Sequence, residues 1–128
     1  MENLIINRTQ STPRVIFNKN GNLLIEGRSF CEDPLNFYGI IFSWCSRLKA
    51  TDVILEINLD YLNTSSSKCL YELVRILDEN IKLKKVDIRW FYDSDDDEMF
   101  ETGQMLEDNT SRIKFEYLSV ESISSCIL

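Results

Sequence analysis

Residues 52–77, "DVILEINLDYLNTSSSKCLYELVRIL", change their hydrophobic period half-way along. In the first half Val53, Leu55, Ile57 and Leu59 alternate with Ile54, Glu56 and Asn58. That is the two-residue repeat of a strand with one buried face and one mostly polar face. In the second half Leu70, Leu73, Val74 and Leu77, continued by Ile81, recur at spacings of three and four, the stripe of a helix buried on one side. Strand, polar turn and helix in immediate succession place the chain in the α/β (α+β) class. Between the two halves stand Asn63, Thr64, Ser65, Ser66 and Ser67. A turn needs one or two polar residues and a helix needs one cap, so this loop carries more hydroxyls than architecture requires.

Working outward, "RVIFNKNGNLLIEG" (14–27) alternates apolar and polar residues on both sides of Asn20-Gly21, a strong antiparallel hairpin signal. A shorter strand at Leu4 to Asn7 precedes it, set apart by Pro13. In "EDPLNFYGIIFSWCSRLKA" (32–50), Asp33 is placed to cap a helix and Pro34 to open it. Phe37, Ile40, Ile41, Trp44, Cys45 and Leu48 mark its buried face. Towards the carboxyl end, "KVDIRWFYD" (85–93) predicts a strand, "DDEMFETGQMLEDN" (96–109) a short acidic helix or loop, and "RIKFEYLSV" (112–120) a last strand with Ile113, Phe115 and Tyr117 on one side. The expected order is ββαβαβαβ in a single domain spanning residues 1–128. Single helices between strands favour right-handed crossovers, which put about three helices mainly on one face of a mixed β-sheet.

Composition narrows the function. A 128-residue chain with 44% hydrophobic and 27% charged residues has enough apolar material for one core. A formal net charge of −7 argues against nucleic acid or an anionic membrane as the main partner, because both recruit basic surfaces. No apolar run reaches the roughly eighteen residues of a membrane span, and "MENLIINRTQ" lacks the parts of a signal peptide, so the expected location is cytoplasmic. Cys31, Cys45, Cys69 and Cys126 form no CxxC pair and the chain has no histidine, so neither a zinc site nor another metal or cofactor is expected. Cys45 and Cys69 fall on the apolar faces of the two helices and read as reduced core thiols. "SCIL" at the end leaves only two residues after Cys126 and is not a prenylation box.

The polar loop lies where a strand's carboxyl end meets a helix amino terminus, the usual place for functional groups in an α/β sheet. With the strand ending near Asp60 to Leu62 and the helix starting near Ser65 to Ser67, Asn63 and Thr64 fall in the loop. A helix amino terminus favours an anion by about 0.3–1 kcal/mol. A nucleotide loop would need glycines, and there is none between Gly39 and Gly103. Two readings then fit the residues: a turn with an N-cap, or a hydroxyl that accepts a covalent phosphate.

A resemblance bears on that choice. "GRSFCED" (27–33), "FYGIIFSW" (37–44), "LDYLNTSSSK" (59–68) and "WFYDSDDDEM" (90–99) stand in the order and spacing of the SiaC family of bacterial regulatory phosphoproteins. The chain resembles that family from about Thr12 to about Tyr117. Members look like STAS-type anti-sigma-factor antagonists, which implies a STAS-like fold. In the family a threonine of the NTSS segment is phosphorylated by a dedicated protein kinase and dephosphorylated by a PP2C-like phosphatase. The unphosphorylated form binds and activates a diguanylate cyclase. By motif the resemblance implies Thr64 as the phosphoacceptor, with Asn63, Ser65, Ser66, Ser67 and Lys68 as its neighbours. The serines would cap the helix and Lys68 would screen the phosphate. The family usually has proline where Cys31 stands, and often where Gly39 and Ile40 stand. STAS antagonists carry Asp-Ser-Ser-Gly at this helix start and this chain carries Asn63-Thr64-Ser65-Ser66, so sigma-factor partner switching is the alternative reading.

Two further stretches carry chemistry-bearing side chains. In "DSDDDE" (93–98), Asp93, Asp95 and Asp97 alternate as in a calcium loop, but Glu98 replaces the required glycine and Gln104 the required glutamate. Asp95, Asp96 and Asp97 are instead expected to meet a partner's basic residues. Among Phe37, Tyr38 and Tyr92 one is expected to be exposed at an interface, aromatics being common anchors there. A small hydrolase is the remaining class: Ser65 and Lys68 stand at SxxK spacing, without a histidine base or a GxSxG elbow. A non-enzymatic switch is the favoured reading.

Overall fold

The structure is a computed structural model that describes residues 1–121. Its elements are β1 (Leu4–Ile6), β2 (Arg14–Phe17), β3 (Asn22–Ser29), α1 (Pro34–Arg47), β4 (Asp52–Leu62), α2 (Thr64–Glu79), β5 (Lys85–Asp93), α3 (Asp97–Asp108) and β6 (Lys114–Val120). The order is βββαβαβαβ, one strand more than the expected ββαβαβαβ. The additional strand is the short one expected at Leu4 to Asn7 but left out of that order, and it pairs antiparallel with β2. The Trp44 indole N–H donates to the Glu2 carbonyl at 2.8 Å and ties this end of the chain to α1.

All six strands lie in one sheet in chain order. β2 pairs antiparallel with β1 on one side and β3 on the other, and β3 to β6 are parallel. Registered rows cross the sheet: Phe17, Leu23, Leu55, Ile88 and Phe115 form one, and Val15, Ile25, Ile57, Trp90 and Tyr117 another. Apart from half-buried Tyr117, every member is buried, so a slip of one residue would turn the whole core outward. Each crossover advances by one strand, and α1 packs on α2 and α2 on α3, so the three helices lie together on the face that carries these rows, as right-handed connections require. The opposite face is mixed, with Ile5, Ile16 and Leu24 in one registered row with Glu56, Arg89 and Glu116; there Arg89 pairs with Glu56 at 3.8 Å and Glu116 at 3.5 Å.

Four expectations change in detail. Ile40 is 58% exposed on α1, although its spacing suits the buried stripe. Ile81 is 94% exposed because α2 ends at Glu79 and the chain turns at Asn80. The acidic segment is a full helix, α3. At the hairpin only Gly21 has positive φ, at 107°. Its N–H donates to the Asn18 carbonyl, while the Asn18 N–H donates to Asn22, both at 2.9 Å. The turn is therefore longer than a two-residue loop. Cys31, Cys45 and Cys69 are free and buried, and Cys126 lies outside the described residues.

Candidate functional site

The carboxyl ends of β3, β4 and β5 and the amino termini of α1, α2 and α3 share one edge of the molecule. Each helix opens with a side-chain cap. Asp33 accepts from the Asn36 N–H (3.2 Å), Asn63 from the Ser66 N–H (2.9 Å) and Asp96 from the Met99 N–H (3.0 Å). Three positive helix ends at one edge make it the natural place for an added anion.

α2 starts earlier than the sequence indicated. Asn63 has extended backbone (φ −86°, ψ 171°) and is the cap, so Thr64 is the first helical residue. The serines are therefore not the caps. A carboxamide fills the capping position well, which frees the hydroxyls that follow. Thr64 and Ser65 are exposed, and Ser65 reaches back to the Asn63 carboxamide oxygen at 3.5 Å. Ser66 turns inward; it is fully buried and its hydroxyl has no hydrogen-bond partner among the described residues. Ser67 is half-buried, with its N–H bound to the Asn63 carbonyl at 2.9 Å, and Lys68 is exposed one turn beyond Thr64. The backbone N–H groups of Thr64 and Ser65 belong to the first turn, where no intrahelical acceptor exists. The geometry leaves an accessible threonine hydroxyl beside free donors.

Below this turn the Asn63 N–H donates to the Ser29 carbonyl at 3.1 Å. The Ser29 hydroxyl shares a 2.7 Å hydrogen bond with the Tyr38 phenol. Tyr38 is thus not a surface contact: it is fully buried at the start of α1, and burial pushes its phenol above the ordinary tyrosine range despite the Ser29 bond. Cys31 Sγ lies 3.9 Å from Ser29 Oγ. Burial, and then the neighbouring Cys31, raise the Cys69 thiol, so it stays protonated. A buried neutral thiol is a poor nucleophile.

Arg28 was not singled out by sequence reasoning, although "GRSFCED" contains it. It pairs in register with Tyr61 across β3 and β4, and its guanidinium lies 5.1 Å from the Phe30 ring centre and 5.6 Å from that of Tyr61. Tyr61 is 47% exposed. An exposed arginine is therefore presented over two aromatic rings, in register with Tyr61, which stands two residues before Asn63.

The acidic residues stand on the next helix along the same edge. Asp95 and Asp97 are exposed, and half-buried Asp96 is the cap of α3. With Asp60, Asp93 and Arg8, Asp95 and Asp96 line a groove of about 820 Å³; neither Thr64 nor Asp97 lines it. No group of three or more cysteine, aspartate and glutamate side chains among the described residues is placed to hold a metal ion. Tyr92 is half-buried against the Phe100 ring at 5.0 Å, and Phe37 is half-buried on α1.

Comparison with known proteins gives this geometry its context. The family model described as "SiaC family regulatory phosphoprotein" matches residues 6–120. An uncharacterized protein of Pseudomonas aeruginosa (strain UCBPP-PA14) is 30% identical over 116 residues, covering 87% of this chain and 92% of the relative. Among solved structures, SiaC of P. aeruginosa superposes with a TM-score of 0.82 at 28% identity, covering 94% of this chain and all of that one (100%). The same fold occurs in the crystal structure of the diguanylate cyclase SiaD in complex with its activator SiaC from P. aeruginosa, with TM-score 0.81, 28% identity and coverage of 91% and 99%. With a family model spanning nearly every described element and a capped, exposed threonine at the start of α2, this chain belongs to the SiaC family of regulatory phosphoproteins.

Proposed function

We propose that this chain is a non-enzymatic, cytoplasmic switch whose unphosphorylated form binds and activates a diguanylate cyclase, and whose phosphorylation on Thr64 releases that partner. The resetting enzymes are a dedicated protein kinase and a PP2C-like phosphatase. The observation that carries the reading is Thr64 itself, an exposed hydroxyl at the first position of a capped helix. The solved complex of a related SiaC with a diguanylate cyclase supports the choice of partner. No helix among the described residues is long and apolar enough to cross a membrane, which accords with action on the partner from solution.

The chemistry of the switch follows from charge. A phosphate adds about −1.5 to −2 charge, and the free N–H groups of the first turn accept it at no cost to the fold. In an interface the same group must be stripped of water. An uncompensated buried charge costs about 3–5 kcal/mol, or roughly 10²–10⁴-fold in affinity. Asn63, Ser65, Ser66, Ser67 and Lys68 hold or flank the acceptor, with Lys68 near enough in the helix to screen the dianion. Phe37, Tyr92 and Asp95 to Asp97, on the same edge, extend the partner surface.

Peptide mass spectrometry of the protein from its native cell should place one phosphate on Thr64. Thr64→Ala should keep cyclase binding, whereas Thr64→Glu should weaken it at least about tenfold. Equal affinity of wild type, Thr64→Ala and Thr64→Glu for a cyclase that binds the wild type would refute the switch.

A further inference from the structure

A second groove, of about 520 Å³, runs between the β1–β2 loop and the first turns of α1. Ile6, Phe30, Phe37 and Ile40 give it an apolar side, Ser11, Thr12 and Asn36 add polar atoms, and its rim carries Glu32 and Asp33. The inward side of α1 is already filled by Tyr38, Ile41, Trp44 and Cys45. Ile40 and Leu35 are nevertheless 58% and 71% exposed on the same helix. Apolar residues on both sides of a surface helix point to a second contact. Glu32 and Asp33 are exposed, and no lysine or arginine pairs with either among the described residues. Asp33 uses an oxygen on the Asn36 N–H, which fixes its carboxylate at the rim.

We propose that this groove is the docking site for a partner segment in which an aliphatic or aromatic side chain stands beside a lysine or arginine. The apolar side chain enters between Phe37 and Ile40, and the cation meets Glu32 and Asp33. Charge complementarity selects this occupant: an unpaired acidic rim on a chain of net charge −7 attracts a basic segment and disfavours an acidic one. The inference rests on the switch reading above. The two places share one framework, since the Phe37 ring packs edge-on against Tyr38 at 5.0 Å and Tyr38 is bonded to Ser29. The Ser29 carbonyl in turn accepts the N–H of Asn63, the cap beside Thr64.

The test titrates the full-length chain into each diguanylate cyclase of its source organism, comparing wild type with Ile40→Glu, Glu32→Lys and Thr64→Glu. Both groove positions are exposed, and circular dichroism with thermal melts checks that the variants fold. Ile40→Glu and Glu32→Lys should each weaken cyclase binding at least tenfold; once cross-linking has located the cyclase segment on the groove, a Lys→Glu or Arg→Glu change in it should restore binding to Glu32→Lys. Affinities within twofold of wild type for both groove variants would overturn the docking site, while the switch survives if Thr64→Glu still weakens binding. Loss on Ile40→Glu alone would overturn the stated occupant. If no cyclase binds the wild type, the switch reading and the groove fall together.

Discussion

At the scale of single residues, the loop before α2 separates groups that hold the helix from groups left for other work. Asn63 holds it, through the 2.9 Å bond to the Ser66 N–H. Asn63→Ala should therefore cost about 1 kcal/mol in urea denaturation, and Asn63→Asp should cost nearly nothing because it caps equally well. Ser66 is the converse case. Its buried hydroxyl has no partner among the described residues, so it carries a desolvation penalty of about 1–3 kcal/mol that Ser66→Ala removes. Ser66→Ala should be neutral or stabilising by up to about 1 kcal/mol; a loss of more than that would show that the hydroxyl is bonded. The polar run was legible as a helix start, because its composition is unambiguous. Which of its members caps, and which faces inward, depends on where the helix begins, and one residue of displacement reassigns all of them.

At the scale of elements, two joints were not legible. α3 packs so closely on β5 that a Cβ at Gly103 would lie 2.7 Å from Trp90 Cδ1. Trp90 is fully buried and its indole N–H is held by the Met99 carbonyl at 2.9 Å, so it has no room to yield. Alanine would gain about 1 kcal/mol in helix propensity, but overpacking costs about 1–3 kcal/mol and should win. Gly103→Ala should thus lower the urea midpoint, with Trp90 fluorescence reporting the shift. At the other joint the Arg112 guanidinium donates to four carbonyls at the end of α2: Leu77 (3.2 Å), Asp78 (2.8 Å), Asn80 (2.7 Å) and Leu83 (2.7 Å). Arg112→Ala should cost about 2–3 kcal/mol, and Arg112→Lys should recover only part of it because an ammonium lacks the planar fork. Periodicity revealed the strands and helices, since their alternation is local. It revealed neither joint, because a glycine pressed on an indole and an arginine over a helix end are long-range contacts. The same limit explains Ile40: spacing puts it on the stripe, whereas the groove beside α1 leaves it in water.

At the scale of the whole molecule, the core is built to keep its acidic protons. Burial is the leading cause in each case: the Cys45 thiol is pushed up from 9.0 to about 12, and Cys69, Tyr38 and Tyr117 are raised in the same direction. At neutral pH these groups are uncharged. The linkage has one sign. A group whose folded value lies above its unfolded value contributes its full stability below the unfolded value, and that contribution is lost as pH rises towards the folded one. For Cys45 the window opens at 9.0 and closes near 12, and within it this thiol costs about 1.4 kcal/mol per pH unit. The urea midpoint should accordingly be flat from about pH 7 to 8 and fall steeply above about pH 9. Cys45→Ala lowers stability at every pH by lost packing, but it deletes one titrating group, so its decline between about pH 9.5 and 11 should be shallower by about 1.4 kcal/mol per unit. Parallel slopes for the two proteins would mean that the Cys45 thiol ionises as readily inside the fold as outside it, and that water reaches the core beneath α1.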